Sequence, residues 1–566
     1  MGRLDWLGAA IGLGLIIALL LLSTRESVPT PIRGGPLVSL GTAALIGLCY
    51  YLSQSAWLAG LGYWTLYRPL VAGALVGVIL GDPQAGVRVG AVLNLAFLGF
   101  LGTGGALPTD MALVGYAGTT IALTTGMSST ASLAVSLPLG LLGYGLYRVR
   151  LRWSNLPARR AMRYARRGDV RGIARCNVLI PQAMLVLLAW VPALTVAYLA
   201  PQAARGVPAM APEWAIAGLD LTGRLLVAMG VANGLALVWT RRTAACYLVA
   251  AGAALTATGR EMAVLGGGLG ALVAMVLPWI TREAPTAGAR RVERIGEPVE
   301  SGAVRPADRR ASLLTWMFFS HASYSEERLQ GVALAHALAP VLRRVYTTRS
   351  ELASALVRYL APFNVEPNLG AAVVGVLARQ EARRQNSTPS ATEAVRTRLT
   401  GPVSGVGDTV IHGAIGTLAV ALAVAAAPVV GGRSVIAYCL VMAVVVWGVS
   451  GWAFQRGYHG GLAGVLDVLR GAGWRRLVVG AECASAIVLG VLTVGPVAGL
   501  LLPVTAGDAV ATASLLDQAL YGLPAVALVL VLLALRHWGG RQRRITLAAY
   551  GIGLAVALWR ALWPWW

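Results

Sequence analysis

The chain is 566 residues long, 57% of them hydrophobic and only 13% charged, with a mean hydropathy of +0.68. That is too apolar for a soluble protein of this size, and several runs exceed the length needed to cross a bilayer. The net charge of +23 sits in short arginine-rich segments between apolar runs, the pattern of the positive-inside rule rather than of a nucleic-acid-binding domain.

No lysine occurs in the sequence, which excludes Schiff-base and lysine-nucleophile mechanisms. Cys49, Cys176, Cys246, Cys439 and Cys483 are isolated, and the histidines are scattered. Neither a metal site nor a disulfide framework is expected, nor a cofactor. The expected fold class is all-α: a polytopic membrane protein, because unpaired backbone is prohibitively costly in lipid.

In chain order, Leu7–Leu22 reads as an anchor helix flanked by Arg3 and Arg25, and Pro29-Thr30-Pro31 ends it. Spans near Leu37–Leu58, Pro69–Leu80 and Val87–Leu101 follow, the last two interrupted by Gly81-Asp82-Pro83 and by Gly102–Pro108. At 1.5 Å per residue those two are short for ~30 Å of hydrocarbon, which points to discontinuous or re-entrant helices. Met111–Tyr147 is long enough for two crossings with a break at Thr124–Ser129.

The arginine-rich loop Arg148–Arg175 comes next, then spans near Val178–Leu199, Ala215–Trp239 and Ala244–Leu277. The polar stretch Thr281–Ala311 has no apolar run and reads as a tether. Its arginines, with Arg148–Arg175 and Arg241–Arg242, are placed in the cytoplasm by the charge rule. Past it, Leu313–Glu381 mixes charged and apolar residues at helical spacing, so amphipathic helices are expected at the start of the second half. Spans resume near Gly413–Val430, Val435–Phe454, Leu477–Leu502, Ala519–Leu535 and Thr546–Trp563, and an aromatic anchor closes the chain at Trp563–Trp566. The expected division is 1–30 anchor, 31–281 first membrane domain, 282–310 cytoplasmic linker and 311–566 second domain.

Motifs sharpen this division. Arg68-Pro69-Leu70, Gly81-Asp82-Pro83-Gln84-Ala85-Gly86 and Gly104–Asp110 resemble the R-P-L, G-D-x-x-x-G and small-residue P-x-D elements of an enzyme IIC subunit. The family is the mannose/fructose/sorbose branch of the phosphoenolpyruvate-dependent sugar phosphotransferase system. Asn94 stands where many members have glutamate. The second half resembles the enzyme IID subunit of the same branch. It carries Glu327-Arg328-Leu329-Gln330, then Pro340, then Arg343-Arg344-Val345-Tyr346. Phe363-Asn364-Val365-Glu366-Pro367 and Gly401-Pro402-Val403-Ser404-Gly405-Val406-Gly407-Asp408 follow in order, then Glu482 with Ala484-Ser485, and Leu516-Asp517-Gln518 with Gly522-Leu523-Pro524. Departures are His321, near where members carry glutamine, and His412, where an aromatic residue is common.

A sugar needs paired hydrogen-bond donors and acceptors in an otherwise apolar pocket, and polar side chains are costly in a membrane without such partners. Asn94, Asp110, Asn364, Glu366, Asn368, Asp408 and Glu482 are the candidate sugar-binding residues, with Asp82, Gly405 and Gly407 as structural or gating positions. A helix cap at Asp82, a cap or turn at Asp408 and a buried pair of Glu482 with Arg476 remain competing roles. No catalytic residue and no metal ligand are expected in the chain. Gly405-Val406-Gly407-Asp408 lacks the spacing and lysine of a phosphate loop.

The resemblance implies a fused IIC–IID permease, multi-pass in the bacterial inner membrane. It would carry a hexose or related sugar inward for phosphorylation by a separate IIB subunit, itself charged through IIA. Sugar, membrane lipid and a further copy of the chain are the other expected partners, and nucleic acid is not. A secondary sugar transporter of the same fold, without phosphoryl coupling, is the alternative.

Overall fold

The computed structural model describes residues 37–58, 60–99, 109–257, 260–280, 304–383, 389–498, 515–537 and 542–562. The expected anchor helix, the loop 102–108, most of the expected linker and the closing tryptophans lie outside these residues. Among the described residues the chain is helical, with isolated β-bridges Ser325–Leu329 and Leu329–Phe363 and no strand. Among the described residues six helical stretches are long and apolar enough to cross a membrane: Ser129–Arg166, Val170–Gly206, Glu213–Leu237, Glu393–Val430, Gly432–Arg470 and Ala472–Val497.

The first half opens with α1 (Leu40–Gln54), capped by the Ser39 side chain accepting from the Thr42 N–H. A helical hairpin follows, α2 (Pro69–Leu80) and α3 (Pro83–Leu95), of 12 and 13 residues. Each starts on proline, whose missing N–H costs nothing at a helix start. Gly81 ends α2 at φ 88°, and the Asp82 carboxylate caps α3 by accepting from the Ala85 N–H at 2.9 Å. The two helices meet backbone to backbone. A Cβ at Gly86 would lie 2.4 Å from the Gly73 carbonyl oxygen, and one at Gly90 would lie 3.0 Å from the Gly73 Cα. The tip of the hairpin reaches the second half, where a Cβ on Gly431 would meet the Gln84 amide at 2.6 Å.

Helix α4 (Met111–Thr125) and α5 (Ser129–Trp153) are separated by Gly126 at φ 77°, within the expected break. The arginine-rich segment then differs from the expected loop: it folds into α6 (Asn155–Arg166) and α7 (Val170–Asn177). Helical spacing explains why. Ala158, Ala161, Ala165, Ile173 and Cys176 fall on one face and are buried, while Arg159, Arg160, Arg163 and Arg166 are exposed. The half ends with α8 (Val191–Met210), α9 (Glu213–Leu237), α10 (Arg241–Leu255) and α11 (Arg260–Ile280). The last two replace one expected span over Ala244–Leu277. The polar run from Thr256 to Glu261 interrupts the apolar register there.

The second half begins at α12 (Pro306–Phe319), which starts inside the segment expected to be a tether because Pro306 opens a helix and the Asp308 carboxylate accepts from the Arg305 N–H at 3.1 Å. Then come α13 (Gly331–Val345), α14 (Arg349–Tyr359) and α15 (Pro367–Arg383). Nearly every residue of α15 is buried, so it is a core helix rather than a surface one. Helix α16 (Pro389–Gly407) runs through a wide turn, Asp408–Gly416, into α17 (Thr417–Val430). Helix α18 (Gly432–Arg470) continues well past the expected end at Phe454 and is kinked at Gly461, φ 58°. The freed carbonyl oxygens of Tyr458 and His459 accept from the Arg379 guanidinium. Helices α19 (Ala472–Leu492), α20 (Leu515–His537) and α21 (Gln542–Leu562) complete the chain.

The halves share their interior. One hydrophobic cluster joins residues from Val38 to Ala271 with residues from Val410 to Leu533. A second joins the alanine face of α6 and α7 to α13, α14 and α15. Polar links cross the same seam: Tyr438 Oη donates to the Trp64 carbonyl at 2.5 Å, Tyr247 Oη meets Thr493 Oγ1 at 3.1 Å, and Tyr550 Oη donates to the Ala134 carbonyl at 2.6 Å.

Candidate functional site

A cavity of about 180 Å³ lies where the two halves meet. Two helix starts face it, one from each half. On the first-half side Asp110 caps α4, its Oδ1 accepting from the Leu113 N–H at 3.0 Å. Its Oδ2 accepts from Tyr50 Oη at 2.7 Å and from Gln54 Nε2 at 3.4 Å. The carboxylate sits tight against α5, where a Cβ on Gly143 would come within 2.5 Å of the Asp110 Cβ.

On the second-half side Glu366 caps α15. Its Oε1 accepts from the Asn368 N–H at 3.0 Å and from Asn368 Nδ2 at 2.7 Å, and its Oε2 accepts from the Leu369 N–H at 2.7 Å. Asn368 Oδ1 in turn accepts from Ser450 Oγ on α18 at 3.2 Å. Asn364 Oδ1 accepts from Tyr324 Oη at 3.1 Å. Both carboxylates are 2% exposed, so these donors are what makes burial of the charge tolerable.

The wall between them is aromatic and polar. Tyr63 stacks on Tyr67 with ring centroids 5.2 Å apart, and Trp64 lies 4.3 Å from the His412 ring. His412 Nδ1 is 3.7 Å from Asp408 Oδ1. His321 stacks on Tyr324 at 5.3 Å. Flat apolar rings beside fixed amides and carboxylates suit a compact ligand with hydroxyls at its rim. No group of three or more metal-ligating side chains occurs among the described residues.

Residues 40–276 match the sorbose-specific IIC component of the phosphotransferase system, and residues 303–561 match the mannose/fructose/sorbose-family IID component. The chain belongs to the mannose/fructose/sorbose family of the phosphotransferase system. It unites the IIC and IID permease components of that family in one polypeptide, and it is an integral membrane protein.

Individual relatives are distant. The sorbose-specific EIID component of Klebsiella pneumoniae is 26% identical over 244 residues, covering 41% of this chain and 89% of that protein. The fructose permease IIC component of Bacillus subtilis (strain 168) is 29% identical over 168 residues, 29% of this chain and 61% of its own length. The mannose-specific EIIC component of Escherichia coli (strain K12) is 29% identical over 184 residues, 31% of this chain and 68% of that protein. Among solved structures, the mannose transporter ManYZ in complex with microcin E492 is 22% identical. It covers 44% of this chain and 96% of its own, with a TM-score of 0.27.

Within this IIC–IID chain the structure brings five of the sequence candidates to the cavity: Asp110, Asn364, Glu366, Asn368 and Asp408. Two do not line it. Asn94 is fully buried in the α2–α3 hairpin, with its Oδ1 3.4 Å from the Leu70 N–H, and Glu482 is half-buried on α19. Asp82 caps α3. Gly407 abuts Glu366, where a Cβ would come within 2.7 Å of the Glu366 Cβ, whereas Gly405 has open space around it.

Sequence reasoning missed Tyr50, Gln54, Tyr63, Trp64, Tyr67, Arg150 and Tyr324, and it treated His321 and His412 only as departures from the family pattern. Gln330 was also missed as a support. Its Nε2 donates to the Val365 carbonyl at 2.9 Å and its Oε1 accepts from the Val365 N–H at 2.8 Å, which clamps the strand-like approach to Glu366. The Glu327-Arg328-Leu329-Gln330 element of the family resemblance was the available signal.

Proposed function

We propose that this protein is the sugar-carrying component of a phosphoenolpyruvate-dependent group-translocation system. The cavity takes a hexose or related sugar, held by Asp110, Asn364, Glu366, Asn368 and Asp408 with the aromatic wall against its apolar face. One observation carries the reading: polar groups from both halves converge on a single cavity between capped helix starts. The relatives' names, which include sorbose, fructose and mannose, support a sugar of that size. A separate IIB subunit, charged through IIA, supplies the phosphoryl group. The exposed arginine face of α6 is a docking surface for an acidic partner.

The test is sugar uptake in membrane vesicles, with and without phosphoenolpyruvate and the soluble phosphocarriers. Uptake that requires both supports the proposal. Uptake driven by a proton gradient alone would instead establish a secondary transporter.

A further inference from the structure

Three arginines occupy alternate positions at the end of α5, and they are not equivalent. Arg148 and Arg152 are paired with Glu326 of the second half, at 3.4 and 3.9 Å. Arg150 has no carboxylate within 4.0 Å among the described residues; its one hydrogen bond there runs from Nη1 to Gln54 Oε1 at 3.3 Å. Its side chain lines the cavity, and it is the sole arginine or lysine among the described lining residues. A guanidinium carries five N–H donors. Most of those on Arg150 are therefore left for a ligand.

The neighbouring negative charges do not use them. Asp110 is satisfied by Tyr50, Gln54 and the Leu113 N–H, and Glu366 by Asn368 and Leu369. Gln54 links the two sides, donating through Nε2 to Asp110 and accepting through Oε1 from Arg150. The lining thus holds acceptors that are already satisfied and, one amide away from Asp110, a guanidinium with unused, charged donors. Arg150 also belongs to the arginine-dense end of the first half, which the positive-inside rule places on the inner side of the membrane.

We propose that Arg150 forms an anion subsite at the edge of the cavity, and that this subsite takes the phosphoryl group of a sugar monophosphate while the sugar ring occupies the polar and aromatic wall. The proposal rests on the reading of the cavity as a sugar site. Guanidinium and phosphate match in charge and in the geometry of two parallel hydrogen bonds, which an ammonium does not reproduce. A guanidinium with free donors in the cavity wall retains the phosphorylated sugar until release, so a monophosphate should compete with the neutral sugar.

The experiment is direct binding to the purified full chain, with fructose, mannose and sorbose and with fructose 1-phosphate and mannose 6-phosphate as probes at matched ionic strength. In the unaltered protein at least one monophosphate binds and competes with its parent sugar. Arg150→Gln weakens the monophosphate at least about tenfold more than the parent sugar, and Arg150→Lys restores part of that difference. Equal losses for both ligands, with intact assembly by size-exclusion chromatography, would show that Arg150 only supports the cavity wall and would overturn the subsite. Sugar binding without any monophosphate binding removes the subsite and leaves the proposed function standing. Binding of neither removes both.

Discussion

Asp110 and Glu366 perform the same local task in opposite halves, yet they are wired differently. Each is a buried carboxylate capping a helix that starts at the cavity. Glu366 draws its donors from its own helix start, Asn368 and Leu369, so its charge is met within three residues. Asp110 meets its own helix once, at Leu113, and takes its remaining donors from Tyr50 and Gln54 on α1. The second cap is a local device clamped by Gln330, and the first is a junction between helices. A self-contained cap can be lost with its helix start alone, whereas a junction exposes partners far away in sequence.

This difference is open to measurement. The largest effect is expected for Asp110→Ala, which takes the partner from the buried Tyr50 hydroxyl and the half-buried Gln54 amide in addition to removing the cap. Such losses cost about 1–3 kcal/mol for unsatisfied groups and about 1 kcal/mol for a cap. Sugar affinity should fall more than about tenfold, with a lowered melting temperature in detergent, while His459→Ala stays near normal. A purified Asp110→Ala protein with unchanged affinity would move the ligand elsewhere.

Gln330→Ala should come next. From a position behind the lining it removes both bonds to Val365 and the 3.3 Å contact with the His321 ring, for about 1–3 kcal/mol of stability. Sugar affinity should fall with it, because the Asn364–Glu366 segment loses its clamp. Loss of stability with full affinity would show that the clamp does not position the site.

A gentler probe of the Glu366 side is a pair of alanine substitutions on α16. Gly407→Ala forces a Cβ against Glu366, whereas Gly405→Ala enters open space. Several-fold weaker binding for the first and none for the second is expected in the same titration, and equal effects would break the argument from close packing.

The rim between the halves gives a smaller, pH-dependent effect. Arg159 Nε donates to the Glu327 carboxylate at 3.0 and 3.2 Å, and this bond holds the Glu327 carboxyl below its usual range. The folded value therefore lies under the unfolded one. The contribution is complete above the usual carboxylate range, ~4.3, and is lost as pH falls through the lowered value. Because the pair is exposed the effect is slight. Melting curves of the native chain and Glu327→Gln should differ slightly near neutral pH and converge in acid, and a gap that widens in acid would refute the assignment.

The smallest effect is expected from dividing the chain near Gly296 and co-expressing the pieces. Linkage then contributes only effective concentration, and the shared interior should reassemble the cavity with both caps in place. Failure to co-purify at normal expression would show that the intervening segment holds the halves together.

Much of this was legible in the sequence, for identifiable reasons. Asn364, Glu366 and Asn368 alternate around Pro367 in an apolar stretch, so the expectation that they act together came from local pattern, and they do meet at one cavity. The glycine–proline hairpin at Gly81-Asp82-Pro83 announced itself through residues with few conformational options. Asn94 and Glu482 gave the same signal as Asp110, a polar side chain in an apolar run, and only tertiary packing separates them from it. Tyr63, Trp64 and Tyr67 were invisible because an aromatic in a membrane chain reads equally as packing. Arg150 was hidden among neighbouring arginines, and the alanine face that turns their segment into helices became significant only once the second half lay against it.

The hairpin of α2 and α3 has a mechanical consequence. Where helices touch through side chains, a push at one end is partly absorbed as rotamers change. The Gly73, Gly77, Gly86 and Gly90 contacts are backbone on backbone, with no rotamers to yield and interiors of low compressibility around them. The hairpin is therefore a stiff strut whose tip faces Gly431 of the second half through the Gln84 side chain. A shift of the second half at that corner is met first by the rotamers of Gln84, so one side chain yields there before the strut does.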